Sequence, residues 1–268
     1  MSELIRLESP REGVALVTMT HPAIQNFGSW EAISDLAAAL ARAREDGARV
    51  SVLASGVEGH WFEHAWLTDL QATMRGELAS GDPAGWFHAL QEITHDDVVS
   101  LAAINGHTSG GGVELGWACD LRIADEQACF GQPEVMIGVA TGIGGTSRLA
   151  RLIGRTATAE MVLDGAPMTA RRIYELGGLN RVVPNGSCVE VALEWASRLA
   201  DRPPASLRAM KKMLKDNDDL HLSEALRNEQ KIFQTVASTA EAAEGMRKMQ
   251  ERFDSGESPL EVYGGPRR

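Results

Sequence analysis

The sequence predicts a mixed α/β core followed by an all-helical C-terminal part, and three observations carry the prediction. Strand-length apolar runs at residues 50–54 and 98–104 alternate with stretches of helical spacing in the first 200 residues. Asp201, Pro203 and Pro204 then punctuate the chain, and only helical patterns follow. All five lysines (Lys211, Lys212, Lys215, Lys231 and Lys248) lie beyond that break, a shift in composition that marks a separate part. The expected division is residues 1–200 as catalytic core, 201–254 as a helical region, and 255–268, rich in Gly, Pro and Ser, as a flexible tail. A chain of 268 residues with 44% hydrophobic content can bury one large core.

Taken in order, residues 5–7 and 14–19 with Pro10 and Gly13 between them read as a β-hairpin. Ser29 is placed to cap a helix over 30–43, where Ile33, Leu36, Ala37 and Leu40 recur at helical spacing. Gly47 ends that helix before the strand at 50–54, and residues 55–70 form a loop leading into a helix. A helix at 84–93 precedes the strand at 98–104. Gly110, Gly111 and Gly112 then open a helix over 113–119, followed by a strand at 120–124, a short bridge at 129–131 and a helix start at Pro133. Helices at 146–153, 156–163, 169–176 and 187–200, with a short strand at 181–183, complete the core. The C-terminal helices fall at 205–215, 222–236 and 240–253.

The net charge of −11 argues against nucleic acid or an anionic membrane as partner, since both select basic surfaces. An anionic ligand would have to meet a local basic patch, for which the C-terminal lysines are available. No apolar run approaches the roughly 20 residues of a membrane span, and the N-terminus lacks signal-peptide character, so a soluble cytoplasmic protein is expected. Cys119, Cys129 and Cys188 are odd in number and lack CxxC spacing, which suggests neither a disulfide framework nor a thiolate zinc site.

The functional signal is concentrated between Ala103 and Ala150. Three glycines between a strand and a helix N-terminus let backbone N–H groups approach a ligand closely and favour negative charge there. Glu114 and Glu134 each fall in an expected first helical turn, where a lone acidic residue is ordinarily just a partner for the helix dipole; the pair beside the glycines reads differently, as an acid–base site. The second cluster, Gly142, Gly144 and Gly145, does not complete a dinucleotide fingerprint, because Ser147 stands where a third glycine belongs. Ser109 is no nucleophile elbow, because His107 replaces the required glycine. His60, Glu63 and His64 spell H-x-x-E-H, an inverted zinc-protease order, but Gly56 and Gly59 precede it, no long helix does, and no third ligand can be named.

The segments Ala103-Ile104-Asn105-Gly106, Gly110-Gly111-Gly112-Val113-Glu114-Leu115, Cys119-Asp120, Phe130-Gly131-Gln132-Pro133-Glu134 and Gly142-Ile143-Gly144-Gly145-Thr146 resemble the enoyl-CoA hydratase/isomerase (crotonase) superfamily. The similarity continues through Arg148-Leu149 and Met161-Val162-Leu163-Asp164-Gly165 to Glu244-Gly245-Met246. It implies a spiral of repeated β-β-α units with a C-terminal helical region, assembled as a trimer or a pair of trimers. It further implies an acyl-CoA thioester substrate, with coenzyme A as part of that substrate and no other cofactor or metal. Glu114 and Glu134 would hold a water between them, Gly111 would give its N–H to the thioester oxygen, and a second N–H would come from the loop after strand 50–54, where Glu63 falls. The F-x-x-G-x-D-[IL] signature of the superfamily lands on residues 61–67, with His64 for glycine and Trp66 for aspartate, and Thr141 replaces a common proline. Trp61, His64, Ala65, Trp66, Gly110, Pro133, Thr141 and Gly142 are therefore expected to shape the substrate pocket. The expected activity is hydration of a 2-enoyl-CoA. Isomerisation, decarboxylation or C–C hydrolysis within the superfamily is the alternative, with a non-catalytic assembly subunit and a zinc hydrolase as remoter ones.

Overall fold

The computed structural model describes residues 3–77 and 81–265. The chain divides into two compact units, Met1–Asp201 and Arg202–Arg268. The first unit runs, in order, β1 (Ile5–Arg11), β2 (Val14–Met19), α1 (Trp30–Glu45), β3 (Val50–Ser55), β4 (Gly59–His60), α2 (Leu67–Met74) and α3 (Gly85–Ile93). It continues through β5 (Val99–Ile104), β6 (Gly106–Ser109), α4 (Gly110–Ala118), β7 (Leu121–Asp125), β8 (Cys129–Gly131) and a 3-10 turn, Pro133–Ile137. It closes with α5 (Ser147–Asp164), β9 (Met168–Thr169), α6 (Ala170–Glu175), β10 (Arg181–Val183) and α7 (Cys188–Ala200).

Two sheets organise this unit. Six strands lie in the order β1-β2-β3-β5-β7-β10, and four in the order β4-β6-β8-β9. Each of the pairs β3/β4, β5/β6 and β7/β8 gives one strand to the large sheet and the next to the small one, and helical structure follows, which is the repeated β-β-α unit of the spiral. The β1–β2 hairpin is antiparallel, whereas every later pairing in the large sheet is parallel. Strands covered on both faces must read as continuous apolar runs, and β3 and β5 are buried at every position. The core gathers Leu53, Ile104 and Leu115 with Trp61, Phe62 and Phe130, all fully enclosed.

Polar anchors fix the ends of these elements. Ser29 accepts from the Ala32 N–H at 3.2 Å and starts α1 as expected. The buried Asp125 at the end of β7 accepts from the Gly186 and Cys188 N–H groups at 2.8 and 3.0 Å, so a strand carboxylate holds the N-terminus of α7. Arg122 donates to the carbonyls of Gly178 (2.8 Å), Gly116 and Cys119, tying the C-terminal end of α4 to β7.

Four expectations need correction. Residues 55–70 contain the short strand β4, and the helix expected from Val113 begins at Gly110, which places Glu114 in its second turn. The stretches 146–153 and 156–163 belong to one helical run, α5, broken by a non-helical Gly154 at φ 79°. Part of the expected tail forms α11 (Pro259–Val262), whose N-terminus carries a capping box between Ser258 and Glu261. The second unit also contains α8 (Pro204–Asp216), a 3-10 turn (Asn217–Asp219), α9 (Leu222–Ala237) and α10 (Ala240–Asp254), with a cleft lined by Met210, Met213, Leu214, Leu226 and Phe233 together with Asn217, Asp218, Glu229 and Gln230. No described helix is long and apolar enough to cross a membrane.

Candidate active site

The triple glycine is dictated by three different contacts. Gly110 has φ +48°, in the left-handed region, and a Cβ there would lie 2.6 Å from the His64 Cβ. A Cβ on Gly111 would lie 2.9 Å from the Trp86 ring, and one on Gly112 would lie 2.2 Å from the Phe62 carbonyl oxygen. The bare Gly110 and Gly112 let the start of α4 press against the segment 62–64, and the bare Gly111 leaves room for the Trp86 ring. Gly111 is the second residue of α4, so its N–H has no intrahelical acceptor.

Beside that turn lies a cavity of about 480 Å³. Its walls include Trp30, Leu67, Leu70, Met74, Trp86 and Phe87 on one side and Met136, Ile137, Val139 and Ile143 on the other. Its polar lining residues are Glu114, Glu134, His64 and Thr73, with Ala65 and Gly111 beside them; among the described residues no lysine or arginine lines it.

Glu114 is 2% exposed and reaches under the second glycine cluster. Its Oε1 accepts from the N–H of Ile143 at 3.2 Å and from the N–H of Gly145. The anion held by that cluster is therefore the chain's own carboxylate, not a nucleotide phosphate. Burial raises the Glu114 pKa against the opposing pull of the backbone N–H groups of residues 142–145. Glu134 stands at the start of the 3-10 turn after Pro133, with no comparable set of N–H donors. Burial, and secondarily the charge of Glu114, pushes its pKa up to about 7. The environments of the two carboxylates thus separate their roles: one is strongly solvated by backbone dipoles, the other is near half-protonated at neutral pH. The buried Gln132 orients Glu134. With its amide assigned from the surrounding network, its nitrogen donates to Glu134 Oε1 at 2.9 Å and its oxygen accepts from Trp117 Nε1 at 3.3 Å.

The expected second N–H donor is not where the sequence reading put it. The Glu63 N–H is spent on the Asn26 carbonyl at 3.0 Å, and its side chain is buried among His60, His107 and Ser109. The loop nevertheless keeps a defined path without the glycine of the superfamily signature. Gly28 donates to the His64 carbonyl and accepts from the Trp66 N–H, both at 3.0 Å, a parallel bridge centred on Ala65. His64 is not among the residues with positive φ, so a side chain there carries no left-handed strain. The bridge turns the Ala65 N–H away from Gly28, and it has no backbone acceptor among the described residues.

Of the other expected pocket residues, His64, Ala65, Pro133 and Gly142 line the cavity. Trp61 does not: it is 0% exposed and stacks on Phe62 at 4.0 Å, filling the core instead. Trp66 precedes α2 and packs towards Phe27 at 5.7 Å, Thr141 pairs with Thr146, and Gly110 lies behind the wall near Glu134. Trp30, Trp86 and Phe87 were missed, because tryptophan and phenylalanine at helical spacing read as core. Their assembly depends on contacts distant in sequence: Trp30 donates from Nε1 to Thr73 Oγ1 at 2.8 Å, and its N–H to Asp69 at 2.9 Å. The H-x-x-E-H reading also fails as written, since His64 Nδ1 pairs with the Ala65 carbonyl; the described His and carboxylate groups close enough to share an ion are His60, Glu63 and His107.

The enoyl-CoA hydratase/isomerase family profile matches residues 9–256. A probable mitochondrial enoyl-CoA hydratase of Dictyostelium discoideum is 31% identical over 239 residues, covering 89% of this chain and 85% of its own. The 2,3-dehydroadipyl-CoA hydratase of Escherichia coli is 32% identical over 248 residues, with 92% and 94% covered. Among solved structures, an enoyl-CoA hydratase of Bacillus anthracis superposes with a TM-score of 0.84 at 26% identity, over 93% of this chain and 97% of that one. With the β-β-α spiral and the match spanning nearly its whole length, the chain belongs to the enoyl-CoA hydratase/isomerase family.

Proposed function

We propose that this protein adds water across the double bond of an apolar 2-enoyl-CoA thioester. The observation that carries the reading is the pairing, in one apolar cavity, of two carboxylates with different surroundings beside the unpartnered N–H of Gly111. The thioester oxygen would be held by the N–H groups of Gly111 and Ala65, the latter replacing Glu63. Negative charge grows on that oxygen during attack, and fixed donors contribute roughly 3 kcal/mol each to its stabilisation. Glu114, ionised, takes a proton from water as the water oxygen bonds to the β-carbon. Glu134, protonated, delivers its proton to the α-carbon as the enolate collapses. The second proton transfer leaves Glu134 charged and Glu114 neutral, and exchange with solvent resets the pair.

The cavity lining narrows the substrate. Among the described residues no lysine or arginine lines it, and His64 is the one basic side chain that could meet the terminal carboxylate of an adipyl chain, the acyl group in the name of the Escherichia coli relative. Aromatic and aliphatic walls suit a neutral hydrocarbon or aryl acyl group. Assembly into trimers or pairs of trimers is part of the same proposal, supported by the exposed apolar side chains of Met210, Leu214, Leu226 and Phe233. The test is loss of the conjugated thioester absorbance on mixing purified protein with 2-enoyl-CoA esters of graded length, with product analysis for the 3-hydroxyacyl-CoA. Products with a shifted double bond and no added water would point to isomerisation instead.

A further inference from the structure

The cluster around Glu63 lies outside the acid–base machinery, yet it touches both strands of backbone that feed the thioester site. Glu63 sits two residues before Ala65, and Ser109 two residues before Gly111. Strands β4 and β6 pair in parallel with His60 opposite His107. Both imidazoles place Nδ1 on Glu63 Oε1, at 3.0 and 2.8 Å, and Ser109 Oγ donates to Oε2 at 2.6 Å. The Glu63 carboxylate is buried, and hydrogen bonds from His107, His60 and Ser109 outweigh its desolvation. Each carboxylate oxygen is thus occupied, and one side chain bridges the two segments.

Ser109 occupies the N-cap position of α4, where a serine hydroxyl ordinarily accepts from the N–H of the second or third helical residue. Here those residues are Gly111 and Gly112. The hydroxyl makes no such bond, because it is turned to Glu63. We infer that Glu63 is a positioning residue which draws the Ser109 hydroxyl away from the helix start, and so keeps the Gly111 N–H open for the thioester oxygen. His60 and His107 act one step further back, supplying the donors that allow a carboxylate to be buried at this point. Without Glu63, Ser109 is free to rotate and cap α4 in the usual way, closing the donor against substrate. The inference rests on the proposed use of Gly111. A metal ion shared by His60, Glu63 and His107 would have to displace both imidazole hydrogen bonds, whereas the separations of 2.8 and 3.0 Å suit direct N–H···O contacts as they stand.

The test is a double-mutant cycle on Glu63 and Ser109, read by steady-state kinetics and by the carbonyl stretch of a bound CoA thioester. Glu63→Ala should lower kcat by about 10²-fold, the loss typical of one missing oxyanion donor, with a smaller change in KM, and the bound carbonyl should move to higher frequency. Glu63→Ala with Ser109→Ala should recover at least about a tenth of the wild-type rate, since no hydroxyl remains to cap the helix. Glu63→Gln, which keeps an acceptor for Ser109, should recover likewise. Glu63→Leu, alone and with Ser109→Ala, repeats the comparison if the alanine variant does not fold. A double variant no faster than the single one, or an unchanged carbonyl frequency in folded Glu63→Ala or Glu63→Leu, would overturn the inference. So would stoichiometric metal in the purified protein that is lost on Glu63→Leu. A wild-type protein that shifts no thioester carbonyl defeats the proposed function itself, whereas a wild-type shift that survives Glu63→Ala defeats only the role of Glu63.

Discussion

At the scale of single residues, the site depends on two carboxylates made unlike by their neighbours. Glu114 is held by backbone N–H groups from the second glycine cluster, while burial and, less strongly, the charge of Glu114 raise Glu134 against its own N–H and the Gln132 amide. If Glu134 is the acid, kcat/KM for hydration should be lost as pH rises through about 7, tenfold per pH unit well above it, in a pH–rate profile of the free enzyme. Stability should follow the same group. A carboxyl whose folded pKa is raised contributes stability that is present below its unfolded value and lost as pH rises through the folded one. Glu134→Gln should therefore raise Tm relative to wild type at pH 8 and leave it nearly unchanged at pH 3.5, below the ordinary glutamate value, in paired thermal unfolding scans.

At the scale of elements, α4 and the segment 61–66 must fit without a gap, and small residues make that possible. Gly112→Ala places a methyl group against the Phe62 carbonyl, which has no room to yield without moving the loop that carries Ala65. The expected result is a loss of about 10²-fold in kcat/KM with a folded protein, as for a misplacement of about 1 Å in a positioned site. At the other end of α4, Arg122→Ala takes the donor from the buried Gly178 and Cys119 carbonyls and should destabilise the protein by about 1–3 kcal/mol in denaturant unfolding. These elements show what could be read from sequence. The hairpin, α1, α3, β5 and α7 carry their own periodicity and punctuation and were legible. So was the dense glycine and Gln-Pro-Glu patterning around residues 103–146. Strands β4 and β6 were not, because runs of two and four residues have too little periodicity of their own and exist through pairing with each other. The placement of Glu63 was misread for a related reason: which N–H faces the cavity is decided by the bridge at Gly28, a contact no local pattern announces.

At the scale of the whole molecule, three β-β-α units stack so that successive repeats each give part of one cavity. The loop after β4 brings Ala65, the turn after β6 brings Gly111 and Glu114, and the turn after β8 brings Glu134. This explains how residues far apart in the chain converge on one cavity. The helical unit leaves Met210, Leu214, Leu226 and Phe233 exposed, the side chains on which the proposed assembly rests. Light scattering of the purified protein should accordingly give a trimer or a multiple of it, and Leu214→Asp with Phe233→Asp should lower the mass. The most direct test of the central claim is the rate of absorbance loss from a conjugated 2-enoyl-CoA with wild type, Glu114→Gln and Glu134→Gln side by side. Two-carboxylate hydration predicts turnover by the wild type and losses of about 10²–10⁴-fold in each variant. Full activity in either variant would contradict it.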